Sequence, residues 1–312
     1  VGGINCNIKS LKSYFYIFQI ETLIPHLSEA LLIFLLVFTI TTWGYSWVLM
    51  KMGLEYAEPF TFAAWRCGIA GVAMIIFVSI KSIKLPKLKK LPDYFMIAMF
   101  QTTLMFGLML YGMKYVTAGK TSVLLYTMPI WTMFMLHFYL KEPLNRAKWI
   151  GVAIGTIGIA CILGRDTFVH QDTGILIGEL LVIGGAISWA ISNIWVKKRM
   201  GGENIYMIST LQLCIGAIGL ALLAIPTEGL FVIDWNAHSI YILLFTGLIA
   251  SAVDFTIWFY LLKNLDIKIT TFSSMLVPVF GLVFDWAILG NKLDAGVLVG
   301  GAFILIGIYK VS

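Results

Sequence analysis

The stretch Asp266–Leu293, DIKITTFSSMLVPVFGLVFDWAILGNKL, is mostly apolar and interrupted in its middle by Pro278. It exceeds the roughly 20 apolar residues that a helix needs to cross a bilayer. An earlier stretch, Thr117–Leu144 (TAGKTSVLLYTMPIWTMFMLHFYLKEPL), has the same form. A shift of 149 residues lays Pro129 on Pro278, Tyr111 on Tyr260, Lys114 on Lys263, Thr121 on Thr270, and Gly151 and Gly158 on Gly300 and Gly307. A shift of 146 lays Trp43 on Trp189, Ser46 on Ser192 and Lys51 on Lys197. The chain repeats itself, and each half carries a proline inside an apolar segment at the same place. In membrane transporters, paired interruptions in corresponding positions of two halves point to the binding site.

Composition agrees with a membrane setting. Of 312 residues, 60% are hydrophobic and 12% charged, where a soluble domain has roughly half and a quarter. The apolar runs do not alternate with polar residues, which excludes a β-barrel. Cys6, Cys67, Cys161 and Cys214 are far apart, so neither a disulfide framework nor a zinc site is expected. No metal-ligand spacing and no glycine-rich phosphate loop after a strand occurs. The expectation is a protein that is not an enzyme, carries no cofactor and binds no nucleic acid, with the net charge of +6 explained by its loops.

Ten apolar segments are expected near 29–51, 59–80, 93–114, 118–140, 146–164, 174–197, 204–225, 238–262, 267–289 and 294–311. The fold class is an all-α membrane protein with ten transmembrane helices. The domains are a first repeat over 29–170 and a second over 171–312. Residues 1–28 are a tail of unknown role: an interfacial helix and an extension from a wrongly assigned start are both open, and a signal peptide is disfavoured. Sixteen Lys and Arg fall on the side of the N-terminus (Lys81, Lys84, Lys87, Lys89 and Lys90 are the densest group) against five on the other. The positive-inside rule then puts both termini in the cytoplasm. With five helices per half, the second half is inverted relative to the first, an arrangement that builds a midplane site able to open to either side.

Several residues carry two readings each. Pro129 and Pro278 are expected to remove a backbone bond and bend their helices, as hinges beside a cavity or as packing kinks. Arg66, Glu179 and Asp285 lie in apolar segments, where charge is expensive; Arg66 is expected to pair with Glu179 or Asp285. Asp254 has no cation at its own depth. It is read as a substrate contact or proton carrier, or as a carboxyl bonded to neighbouring hydroxyls. Trp43, Ser46, Gln101, Tyr111, Tyr126, Trp131, Trp189, Asn193, Asp254 and Trp258 cluster in segments one, three, four, six and eight. Such side chains line sites for small solutes or hold helices together. Segments five and ten carry Gly151, Gly155, Gly158, Gly300, Gly301 and Gly307. They are read as contact helices outside the cavity, with a homodimer through their glycines left open.

The run Thr41–Gly71, TTWGYSWVLMKMGLEYAEPFTFAAWRCGIAG, resembles the opening of an EamA domain of the drug/metabolite transporter superfamily, through Trp43-Gly44, Pro59 and Arg66. The second half resembles the same domain through AISWAISNIWVKKR (186–199) and MLVPVFGLVFDWAILGNKL (275–293). Two departures from the family's usual Leu-Gly-Glu occur: Leu289-Gly290-Asn291, and Leu140-Lys141-Glu142 in the first half. The resemblance implies a ten-helix bundle of two inverted repeats around a central cavity. It implies a secondary transporter in the cytoplasmic membrane that exports small molecules such as amino acids, other metabolites or drug-like compounds. With few basic residues near the midplane, an amino acid or a neutral to cationic substrate is expected. A lipid scramblase or flippase and an organellar-type metabolite exchanger are the alternatives.

Overall fold

A computed structural model of the chain describes residues 8–141, 145–165, 173–229, 232–264, 276–292 and 295–311. Among the described residues the backbone is helical, with no strand; a single isolated bridge joins Ala57 to Ile233. The helices are α1 (Ile8–Gly53), α2 (Pro59–Ile80), α3 (Leu88–Met113), α4 (Ala118–Leu125), α5 (Met128–Leu140), α6 (Arg146–Arg165), α7 (Thr173–Arg199) and α8 (Ile205–Thr227). Then come α9, formed by the consecutive stretches Ala237–Leu244, Phe245–Val253 and Asp254–Asn264, α10 (Leu276–Leu289) and α11 (Ala295–Val311). The ends of α2, α6, α7, α8, α9 and α11 fall within a few residues of the expected segment ends, whereas α1 begins well before residue 29, the expected fourth segment is divided into α4 and α5, and the start of the expected ninth lies outside the described residues. Residues 8–28 continue α1 as helix, and residues 1–7 of the expected tail lie outside the described residues.

Among the described residues, six helices are long and apolar enough to cross a bilayer: α1 from Ala30, α2, α3, α7, α8 and α9 to Trp258. Their starts are set by local chemistry. Pro59 occupies the first turn of α2, where its missing N–H is no loss. The side chain of Asn204 accepts from the amides of Tyr206 and Met207 to cap α8, and Asn236 forms a reciprocal capping box with Ser239 at α9. The α2 terminus is capped from elsewhere: the Glu228 carboxylate, just beyond α8, accepts from the amides of Phe60 (3.2 Å) and Thr61 (2.8 Å).

The principal contacts run between the halves, and they exchange into one another when the halves are exchanged. α1 packs on α9 as α7 packs on α3. α2 packs on α9 as α8 packs on α3, and α1 on α10 as α7 on α5. The pairs α2–α8 and α6–α11 map onto themselves. Two further features repeat at the 149-residue shift. Both α3 and α9 contain a wide, π-helical stretch, Ala98–Leu104 and Phe245–Val253, and the shift lays Leu104 on Val253. Both α5 and α10 end on a left-handed residue, Lys141 (φ 56°) and Gly290 (φ 69°), which the same shift superposes.

Glycines set the closest approaches. A Cβ on Gly158 would lie 2.5 Å from the Gly300 carbonyl oxygen, and one on Gly307 would lie 2.6 Å from that of Gly151. The glycines of α6 and α11 therefore face each other within one chain, where bare backbones let the helices touch.

Candidate functional site: a cavity between the halves

A narrow cavity of about 50 Å³ lies where α1, α2, α3, α4, α7 and α9 meet. Its wall is aromatic and sulfur-rich: Trp43, Trp47, Phe106, Tyr126, Trp189 and Phe255 contribute rings, and Met50, Met105 and Met109 contribute thioethers. Ser46 and Arg66 are polar members of the lining, and Leu125 and Ala250 complete it.

The break between α4 and α5 shapes one wall. Tyr126 and Thr127 form a tight turn, with the Thr127 amide and hydroxyl both donating to the Leu124 carbonyl. Pro129 follows in the first turn of α5. The expected bend is thus a full break: the proline sits where its missing donor costs nothing, and the hydrogen-bonded turn before it brings Leu125 and Tyr126 to the cavity. Pro278 is buried in α10, but Ser274 and the residues before Leu276 lie outside the described residues, as do Thr270, Thr271 and Ser273.

Four of the ten expected cavity residues line this space: Trp43, Ser46, Tyr126 and Trp189. Asp254 and Trp258 stand behind Trp43. The Trp258 ring is 5.4 Å from that of Trp43, and the Trp43 indole donates to the Ala250 carbonyl at 3.0 Å. Asp254 is fully buried and accepts from Thr42 Oγ1 at 2.7 Å. The remaining four are engaged elsewhere. Gln101 Oε1 accepts from Ser192 at 2.7 Å. The Trp131 indole donates to Thr127 Oγ1, and the Asn193 amide donates to the Met128 sulfur. Tyr111 stacks on Phe60 beside a separate surface depression that also borders Lys114 and Glu228.

Arg66 does not pair as expected. Its Nε donates to the Thr246 carbonyl and Ser251 Oγ, both at 3.1 Å, its Nη1 donates to the Met50 sulfur, and its guanidinium lies 4.4 Å from the centre of the Phe106 ring. Glu179 instead binds Lys120 at 3.0 Å, and Asp285 accepts from the Asn291 side chain at 3.0 Å. The reason is topological: α2 lies against α3, α8 and α9, whereas Glu179 is on α7 and Asp285 on α10. Arg66 thereby becomes the cation of the cavity wall. The methionines and Phe106 were not legible as site residues, because an apolar side chain in a membrane helix carries no distinguishing signal.

The wide turns supply acceptors across the halves. Opening a helical turn releases carbonyls from their own ladder. The Phe100 carbonyl accepts from Ser188 on α7, and the Thr246 carbonyl from Arg66 on α2. With the Trp43–Ala250 bond, these join each half to the other around the cavity.

The chain matches the model of the EamA-like transporter family twice, over residues 30–164 and 176–312. It is similar to the uncharacterized transporter YoaV of Bacillus subtilis, with 32% identity over 269 residues covering 86% of this chain and 91% of that one. It is also similar to a probable amino-acid metabolite efflux pump of Salmonella typhimurium, with 27% identity over 286 residues covering 88% and 93%. A crystal structure of a protein 16% identical in sequence superposes with a TM-score of 0.63 over 91% of this chain and 97% of that one, which shows a shared fold. Two family matches that together span nearly the whole chain, a helical bundle in which several helices are long and apolar enough to cross a bilayer, and an aromatic cavity between two mutually packed halves make this a multi-pass membrane protein of the EamA-like transporter family.

Proposed function

We propose that the protein is a secondary transporter that exports small metabolites, such as amino acids or drug-like compounds, across the cytoplasmic membrane by alternating access. The observation that carries this reading is the cavity's position: it is bounded by helices of both halves, whose contacts interchange when the halves are exchanged. In this reading the chain crosses the membrane ten times, as two inverted five-helix repeats with both termini in the cytoplasm. Two equivalent halves packed around one site have two equivalent ways to lean, and each exposes the site to one side. The name of the Salmonella relative, a probable amino-acid metabolite efflux pump, supports export as the direction.

The Lys120–Glu179 pair joins α4 to α7 at the end of the bundle that holds the α3–α4 connection. On the proposed orientation that end is the outer one, so the pair is a contact that outward opening must break. The test is reconstitution of purified protein into liposomes and counterflow against a broad metabolite panel. Accumulation of a labelled compound driven by its unlabelled counterpart is the expected result. Correctly folded protein that moves no compound, by gradient or by exchange, would overturn the reading.

A further inference from the structure

We infer that the cavity receives the carboxylate of a compact apolar or aromatic organic acid, with Arg66 as the charge that holds it. This inference rests on the transporter reading and narrows its substrate. Arg66 is only 3% exposed, yet no carboxylate lies within ion-pair distance of it among the described residues. Its Nε is committed to Thr246 and Ser251, and its Nη1 meets a thioether, a weak acceptor. These bonds leave Nη2 available to an incoming group. On the same wall, Trp47 is 5% exposed and its indole N–H finds no acceptor, while Tyr126 brings a phenol.

The lining therefore supplies donors and one positive charge, and no side chain of opposite charge. Asp254 acts on Arg66 electrostatically from behind the wall without pairing with it, and a ligand carboxylate at Nη2 supplies the direct contact that Asp254 does not. The planar guanidinium fork fits a carboxylate better than a spherical anion. Elsewhere in the lining, Trp43, Trp189, Phe255, Met105 and Met109 offer mainly apolar surface. A single cation matches a single negative charge, which separates this site from one built for a phosphate ester. An ammonium group finds no acidic partner on the wall: Glu179 is paired with Lys120, and Asp254 stands behind Trp43 on Thr42. An amino group on the substrate is thus not required, where the sequence led to the expectation of an amino acid or a neutral to cationic substrate.

The probes are 3-phenylpropionate, its neutral amide, L-phenylalanine and phenethylamine, measured by thermal stabilisation and by counterflow in liposomes. The acid is expected to bind at least tenfold more tightly than the amide, with phenylalanine no tighter than the acid and phenethylamine weakest. Arg66→Gln is expected to level acid and amide, and Arg66→Lys to restore part of the difference. Equal affinity for acid and amide, or tighter binding of phenethylamine, would overturn the inference. If Arg66→Gln fails to fold, the acid-to-amide ratio of the wild-type protein decides alone. Counterflow of amide or amine without acid preference sinks this inference and leaves the transporter reading standing. Acid-selective binding without movement of any compound does the reverse.

Discussion

Thr42 Oγ1 donates to Asp254 Oδ2 at 2.7 Å and joins α1 to α9 behind the Trp43 wall of the cavity. The same hydroxyl lies 2.8 Å from the Phe38 carbonyl. With the Thr39 carbonyl at 3.2 Å, one hydroxyl proton faces three acceptors, so the contact to Asp254 closes without loss when the carboxyl brings a proton of its own. Asparagine has a donor in the same place. Asp254→Asn is therefore expected to fold with wild-type stability, within about 1 kcal/mol. If Asp254 carries protons during transport, the variant loses gradient-driven uptake and keeps exchange. Uptake and counterflow in the same liposome preparation separate the two, and loss of both would assign Asp254 to binding or folding instead.

The Lys120–Glu179 pair is the second testable contact. Glu179 is fully buried and Lys120 has 12% of its side chain exposed. Removing one partner of a buried pair costs about 3–5 kcal/mol. Lys120→Met is expected to lower the unfolding temperature sharply, and Lys120→Met with Glu179→Gln to recover most of the loss. A double variant as unstable as the single one would show that the contact is not an ion pair in energetic terms.

The α6–α11 seam makes a packing prediction. Gly158→Ala and Gly307→Ala would drive a methyl into backbone atoms of the facing helix, with no side chain able to swing aside. Forced overpacking of this kind costs about 1–3 kcal/mol. A Cβ on Gly68 meets nothing within 4 Å, so Gly68→Ala serves as the control. Thermal unfolding in detergent should rank both seam variants well below the control; three equal melting temperatures would refute the seam.

Lys141 holds the left-handed conformation that Gly290 holds in the other half. For a residue with a Cβ that conformation costs about 1–2 kcal/mol, partly offset in glycine by its looser unfolded chain. Lys141→Gly is expected to stabilise the protein by about 0.5–1 kcal/mol, read as a rise in unfolding temperature. A fall would mean that the lysine side chain contributes more than its backbone strain removes.

Much of the bundle was legible in the sequence, because membrane-spanning length and the self-match at 149 residues are one-dimensional signals. The site was half legible. Trp43, Ser46, Tyr126 and Trp189 stand out as polar or aromatic residues in apolar segments and do line the cavity. Met50, Met105, Met109 and Phe106 do not stand out, since their composition is that of any lipid-facing or core position. The partner of Arg66 was illegible for another reason. Depth along a helix can be counted from sequence, but which helix stands opposite depends on the packing of α2 against α9. The wide turns had no signal either: Ala98–Leu104 and Phe245–Val253 contain no proline, and an extra residue in a turn leaves the apolar pattern almost unchanged.

Those two turns have a mechanical consequence. A helix with one surplus residue in a turn can pass that surplus to the neighbouring turn by trading a single backbone bond, at a cost on the order of 1 kcal/mol. It never has to come apart. The Phe100 and Thr246 carbonyls released there are gripped by Ser188 and Arg66 from the opposite half. Sliding the surplus along α3 or α9 therefore re-aims the grip between the halves in ratchet-like increments. On the alternating access proposed above, such a molecule would creep between its two leanings where a stiffer bundle would have to leap.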